Sequence, residues 1–226
     1  MNAAIVTVAN GGSYPAKAEK LKQEAKKLEP GIPVYAWINS YPPGSPTHQQ
    51  APYAFKFHAI QEVRNKGHDC ILWLDSSQLP IRPFQKMFDY MEEQGWYFQP
   101  NGYDIGTWCK DEALKPLGIT REEAFGIPDL TGCIFGLNME NETARKFFDR
   151  MMELAADGVT FPGPWKNING SCSPDKRVLG HRHDQAAMSV VRVQMEMDWR
   201  WSLEPWMSYP CPGVREMEHV CFINGG

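Results

Sequence analysis

The sequence predicts an α/β fold with a mostly parallel central sheet flanked by helices. Three observations carry that prediction. Short apolar runs at residues 3–9, 33–38 and 70–74 alternate with segments whose apolar residues recur every three to four positions. The third run, Cys70-Ile71-Leu72-Trp73-Leu74, is apolar without interruption, as a strand is when both of its faces are covered. Asp75 then stands where that strand leaves the sheet, and open α/β sheets bind ligands outside the carboxyl ends of their strands.

Taken in order, the first strand ends in Asn10-Gly11-Gly12-Ser13, a permissive turn. Pro15 opens a helix with the stripe Ala18, Leu21, Ala25 and Leu28, and Pro30-Gly31 stops it. Residues 33–38, rich in β-branched and aromatic side chains, form the second strand, and the Pro/Gly-rich run 41–46 is a loop. A helix over 52–65 follows, with Lys56 heading the face of Ala59, Ile60 and Val63. That lysine either snorkels to solvent or reaches the edge of the sheet. After the Asp75 strand, Pro83 opens a helix with Phe84, Met87, Phe88 and Met91 on one face, and Gly95 ends it. Residues 96–100 read as a short strand, 101–104 as a turn, and Thr120-Arg121-Glu122-Glu123 as a capping box. A further apolar strand spans 132–138, and Asn141 caps a long helix with Ala144, Phe147, Phe148, Met151 and Ala155 on one side. Residues 158–180, rich in Gly, Pro, Asn and Ser and without a period, predict a mobile functional loop. His181-Arg182-His183-Asp184-Gln185 opens the next helix. Met197, Trp199 and Trp201 alternating with Asp198, Arg200 and Ser202 predict a half-buried strand.

A chain of 226 residues buries a substantial core as one domain, 1–226. The net charge of −4 and the absence of a basic tract argue against nucleic acid as a partner. No apolar run approaches a membrane span, and no basic leader opens the chain, so no signal peptide is expected. Six scattered cysteines without a C-x-x-C pair point to reduced thiols and a cytoplasmic protein.

Three groups of residues are suited to chemistry. Asp75-Ser76-Ser77 places oxygen-bearing side chains at i and i+2 beyond a buried strand, where they can converge on a hard cation or on the ribose and phosphates of a nucleotide. Taken alone, an Asp at a strand end is more often a turn former. His181, His183 and Asp184 crowd a helix start. Asp184 in its plainest role caps that helix, and the two histidines suggest a metal-dependent hydrolase, although the ligand spacing of a dinuclear site is absent. Tyr14, Trp108, Trp165 and Trp206 stand in loop-like segments, where aromatic faces stack on sugars or bases.

The chain resembles the GT-A-fold glycosyltransferases, the nucleotide-diphospho-sugar transferases of bacterial and phage type. The resemblance rests on Ile5-Val6-Thr7-Val8-Ala9-Asn10, Tyr53-Ala54-Phe55-Lys56, Ile71-Leu72-Trp73-Leu74-Asp75-Ser76-Ser77 and His181-Arg182-His183-Asp184-Gln185, with residues 132–138 between the last two. It implies a GT-A-like, Rossmann-like fold whose first half, 1–100, binds the nucleotide and whose second, 101–226, serves donor sugar and acceptor. It also implies donor contacts from Ala9, Asn10, Lys56, Asp75, Ser76, Ser77, His183 and Gln185, with Asp184 catalytic. Trp108 and Trp165 are the candidate acceptor residues. The third stretch stands at the family's D-x-D position, where Mn²⁺ or Mg²⁺ is held. Here the second aspartate is Ser77, a poorer ligand by one full charge. Asp75, Ser77 and the late His219 are the candidate metal ligands; otherwise cationic side chains such as Lys56 take the metal's place. The implied activity is sugar transfer from a UDP- or GDP-linked donor to a hydroxyl acceptor. Ser77 leaves open a catalytically inactive nucleotide-sugar or carbohydrate binding protein, and His181 with His183 the hydrolase.

Overall fold

Both faces of the Asp75 strand are covered in the computed structural model, which describes residues 1–199 and 205–225. Strands β1 (Ala3–Ala9), β2 (Val34–Ile38) and β3 (Cys70–Leu74) pair in parallel, β1 in the middle, with Ile5 opposite both Val34 and Leu72. Along β3, Ile71 and Trp73 join a core cluster on one face of the sheet, whereas Cys70, Leu72 and Leu74 join a second on the other. Each large side chain so buried is worth roughly 1.5–3 kcal/mol, which is why no polar residue interrupts the strand.

Helices α1 (Tyr14–Leu28) and α2 (Phe55–Asn65) make the crossovers and pack on opposite faces, α1 through Leu21 and Ala25, α2 through Phe57, Ile60 and Val63. Then come β4 (Gln78–Pro80), α3 (Gln85–Gln94) and β5 (Trp96–Tyr97). The run at 101–104 belongs to a strand rather than a turn: β6 (Pro100–Asp104) pairs antiparallel with β7 (Pro128–Leu130). Between them lie α4 (Ile105–Trp108), α5 (Asp111–Leu117) and α6 (Arg121–Phe125), the last opened by the Thr120–Glu123 capping box. Strand β8 (Ile134–Asn138) runs antiparallel to β3 and to β5, so the five-stranded sheet has the order β2-β1-β3-β8-β5. It is α/β and parallel-rich, with β8 reversed. Helix α7 (Glu142–Ala156) is capped by Asn141, whose Oδ1 accepts from the Ala144 amide at 3.1 Å. Helix α8 (His183–Gln194) follows the long loop.

One expectation fails here. Met197–Trp199 forms no strand, and the rest of that alternation, from Arg200, lies outside the described residues. Further on, β9 (Met207–Ser208) and β10 (Phe222–Asn224) build a small sheet with β4, pairing Asn224 with Gln78 and so bringing Asn224 beside Asp75. No helix among the described residues is long and apolar enough to cross a membrane.

The loop at 158–180 is irregular in its dihedrals but not in its bonding. Asn167 donates through Nδ2 to the carbonyls of Ser173 (2.8 Å) and Val178 (2.9 Å), and its Oδ1 accepts from the amides of Cys172 (2.8 Å) and Ser173 (3.2 Å). Leu179 donates its amide to Thr107 O, and the Arg177 guanidinium bridges Asp175 and Glu122. These bonds tie the loop to itself and to α4 and α6. Asn167→Ala removes four of them at about 0.5–1.5 kcal/mol each. Hydrogen exchange at residues 172, 173 and 179 is expected to quicken by more than tenfold, with the sheet amides unaffected.

Candidate functional site

The chain visits β2 on one side of β1 and then β3 on the other, and at that switch point open α/β sheets leave a crevice. A cleft of about 500 Å³ lies there, a size suited to a small molecule. Its walls include Asn10 and Tyr14 after β1, Lys17 on α1, His48 and Tyr53 before α2, Trp73, Asp75, Ser76 and Ser77 on β3 and after it, and Asn224 from β10.

Asp75 is held from three sides. Its amide donates to Cys133 O (2.8 Å), its Oδ1 accepts from Trp73 Nε1 (2.9 Å), and Lys56 Nζ lies 3.5 Å from the same oxygen. Lys56 neither snorkels nor lines the cleft. It is 2% exposed, donates to Gly132 O at 2.7 Å and pairs with Asp184 Oδ2 at 2.8 Å. The contact with Asp184 is an ion pair without good hydrogen-bond alignment. Burial works against the charge of Lys56, but Asp184 and Asp75 together outweigh it and hold the ammonium well above the usual lysine range. Burial pushes Asp184 up to about 6, against the pull of Lys56. Lys56, Asp75 and Asp184, far apart in sequence, therefore form one chain of charge that runs from Asp75 on the cleft wall through Lys56 to Asp184 behind it.

Asp184 does not cap α8; the cap residue is Arg182, and no side chain caps the helix end. Instead the carboxylate turns inward to Lys56, and His183 just before it, at φ +48, takes the left-handed backbone conformation. Tyr53, at φ +64, does the same ahead of α2, and the two rings pack 5.4 Å apart. The Tyr53 ring also covers Lys56 Nζ at 4.9 Å and separates it from the cleft. Gly132 passes so close that a Cβ there would meet Gln185 Cγ at 2.8 Å, Lys56 Nζ at 3.1 Å and Asp184 Oδ2 at 3.2 Å.

The remaining expected site residues divide. Asn10, Asp75, Ser76 and Ser77 share the cleft, while Ala9 is buried beneath it. Gln185, half-buried, lies beside Gly132 and Asp184. His181 donates from Nε2 to Thr160 O (2.8 Å) and accepts the Lys110 amide on Nδ1 at 3.4 Å; His183 uses Nδ1 on Phe161 O (2.8 Å). Burial pushes His181 down to about 3 and His183 to about 4, so both are neutral. They staple the long loop to α8, and with three of four ring nitrogens engaged the His-x-His pair is not an open metal site. Trp108 and Trp165 clamp the Arg182 guanidinium at 3.6 and 3.9 Å, and Trp165 also stacks on His183, so these rings already have partners. Trp206 is buried against Tyr97 and belongs to the core. His219 is not among the residues that line the cleft: it precedes Phe222, which pairs with Pro80, whereas Asn224 at the other end of β10 lines the cleft with Asp75. Its backbone carbonyl accepts from Lys86 on α3. Lys17, His48 and Asn224 carry no local mark of a site, and Trp73 and Gly132 read from the sequence only as parts of strands.

No protein-family model matches the sequence, and no curated protein sequence does. Solved structures match. Mouse xyloside xylosyltransferase 1, in its apo form, gives a TM-score of 0.55 at 11% identity over 100% of this chain and 98% of that chain. WbbM, a bifunctional glycosyltransferase, gives 0.54 at 9% identity over 98% of this chain and 45% of its own. A glycosyltransferase involved in the glycosylation of the major capsid of PBCV-1 gives 0.45 at 14% identity, covering 99% and 93%. The chain has the GT-A-like glycosyltransferase fold of the first two.

Proposed function

We propose that the protein is a glycosyltransferase that moves a sugar from a UDP- or GDP-linked donor to a hydroxyl acceptor. The observation that carries this reading is the Asp75 cleft at the switch point of a GT-A-like sheet. Residues 1–100 hold the nucleotide, with Ala9 and Asn10 near the base and Asp75, Ser76 and Ser77 at the ribose and diphosphate. Residues 101–226 supply Gln185 and, more peripherally, His183 to the transferred sugar, and Trp108 and Trp165 towards the acceptor. The acceptor oxygen bonds to the anomeric carbon as the nucleotide diphosphate leaves and the hydroxyl proton is released.

The departing diphosphate needs its growing charge stabilised. Lys56 is spent on Asp184 and Asp75, so its part is to hold Asp75 in place. Lys17 is the lysine on the cleft wall. Among the described residues no three His, Cys, Asp or Glu side chains converge, so a divalent cation would bind here in the manner of Mg²⁺, by one or two carboxylates plus substrate phosphates. Asp75 and Ser77 would hold it, and it would neutralise diphosphate charge. Asp184, behind the wall, contributes a fixed negative charge near the anomeric carbon, where positive charge develops.

Titration calorimetry with UDP- and GDP-sugars, with and without Mn²⁺, is expected to show binding, followed by slow hydrolysis of the bound donor. Binding without any turnover would make the chain a nucleotide-sugar binding module, as Ser77 allows. Binding of neither donor would remove the reading.

A further inference from the structure

We propose that Asp129, a carboxylate outside the cleft, fixes the side-chain amide of Gln185 so that only its oxygen is free to meet a ligand. Asp129 lies on β7, 1% exposed, and forms no ion pair among the described residues. Its Oδ2 accepts from Asn101 Nδ2 at 2.6 Å and from Gln185 Nε2 at 3.3 Å, and its Oδ1 accepts from Ser189 Oγ at 3.3 Å. Next to it, Leu130 O accepts from Gln185 Nε2 at 3.1 Å and from Asn101 Nδ2 at 3.4 Å. A carbonyl and an ionised carboxylate can only accept. The end of Gln185 that faces them is therefore its nitrogen, which donates to both.

The stem of Gln185 is held as well, since its Cγ packs against Gly132. Asn101 uses the same pair of acceptors, and its own oxygen takes the Tyr103 amide at 3.1 Å. Two amides are thus turned the same way by one carboxylate. Burying that carboxylate without a cation is costly, and burial pushes Asp129 up to about 6 although Asn101 and Ser189 pull it down. What the charge secures is direction, because a carboxylate has no donor with which to capture Gln185 in the flipped sense.

The chemical consequence is a specificity. Gln185 Oε1 accepts a hydrogen bond from a ligand hydroxyl and rejects a carboxylate or phosphate oxygen at the same place. Only the identification of that ligand as the donor sugar rests on the glycosyltransferase reading. A donor with a hydroxyl there is favoured over a deoxy or uronic counterpart.

The test has a ligand-free arm. Side-chain amide spectra of wild type are expected to show Gln185 protons protected from solvent exchange. Asp129→Leu should lose that protection, and Asp129→Asn, which keeps an oxygen for Gln185, should restore it. With donor, Asp129→Leu should raise KM at least tenfold with kcat little changed, and Asp129→Asn should recover most of the loss. Unchanged Gln185 protection in Asp129→Leu would overturn the proposal, whether or not the wild type binds a nucleotide sugar. If Asp129→Leu does not fold, Gln185→Glu sets acceptors against acceptors and should lose that affinity, with partial recovery in Asp129→Asn/Gln185→Glu. No recovery in the double variant would overturn it too.

Discussion

Lys56→Met is expected to lower stability by about 3–5 kcal/mol, the cost of leaving a buried carboxylate without its counter-charge. For a domain of this size that is a fall in Tm of roughly 6–20 °C. The ammonium is 2% exposed and contacts Asp184, Asp75 and the Gly132 carbonyl together, so its removal strands Asp184 and the carbonyl and leaves Asp75 with Trp73 alone at its Oδ1. Adding Asp184→Leu takes away the orphaned charge, and Lys56→Met/Asp184→Leu is expected to regain much of the loss while remaining inactive. Thermal denaturation of both variants measures this. A single variant that melts with the wild type would mean that water reaches the pair, contrary to its burial.

In Asp184→Asn the turnover of the proposed transfer is expected to fall by roughly two orders of magnitude or more, with the fold intact. The amide keeps the shape of the carboxylate and removes its charge, and Lys56 keeps Asp75 and Gly132 O, so the stability change is about 1–3 kcal/mol. The pH dependence follows from the same geometry. Because Asp184 is lifted to about 6, wild-type turnover should decline on acidification through that pH, and this decline should be absent from the residual activity of Asp184→Asn. Stability moves in the opposite sense. A carboxyl whose folded pKa lies above its unfolded value near 4 binds its proton more tightly when folded. The contribution of Asp184, and of Asp129 with it, therefore grows as pH falls from about 6 to about 4. Undiminished turnover in Asp184→Asn would end its assignment.

Strand β3 and the acid behind it were legible in the sequence because an unbroken apolar run leaves one solution, a strand covered on both faces. The stripes of α1, α3 and α7, the Asn141 cap and the Thr120 capping box were legible for the same reason: each depends on residues within a few positions of one another. Lys56 was visible only as an anomaly on an apolar face. Whether it turned to solvent or inward was decided by Asp184, more than a hundred residues away, and by Gly132, neither of which its own helix can encode.

The same limit holds elsewhere. Residues 158–180 have no period because their order comes from one amide, Asn167, spanning four backbone groups, and side-chain bridges of that kind leave no repeat to read. His181 and His183 look like ligands until the carbonyls of Thr160 and Phe161 are seen to occupy them. Asp129 gave no sign of its partners, although an acid just ahead of a strongly apolar strand is a mark that reasoning from sequence can use. The sequence by itself determined the parallel strands of the sheet, its principal helices and the edge at which the cleft opens, since burial patterns are written locally. Only the tertiary structure decided which charges meet behind that edge, because an ion pair between distant segments becomes favourable only once both have left water together.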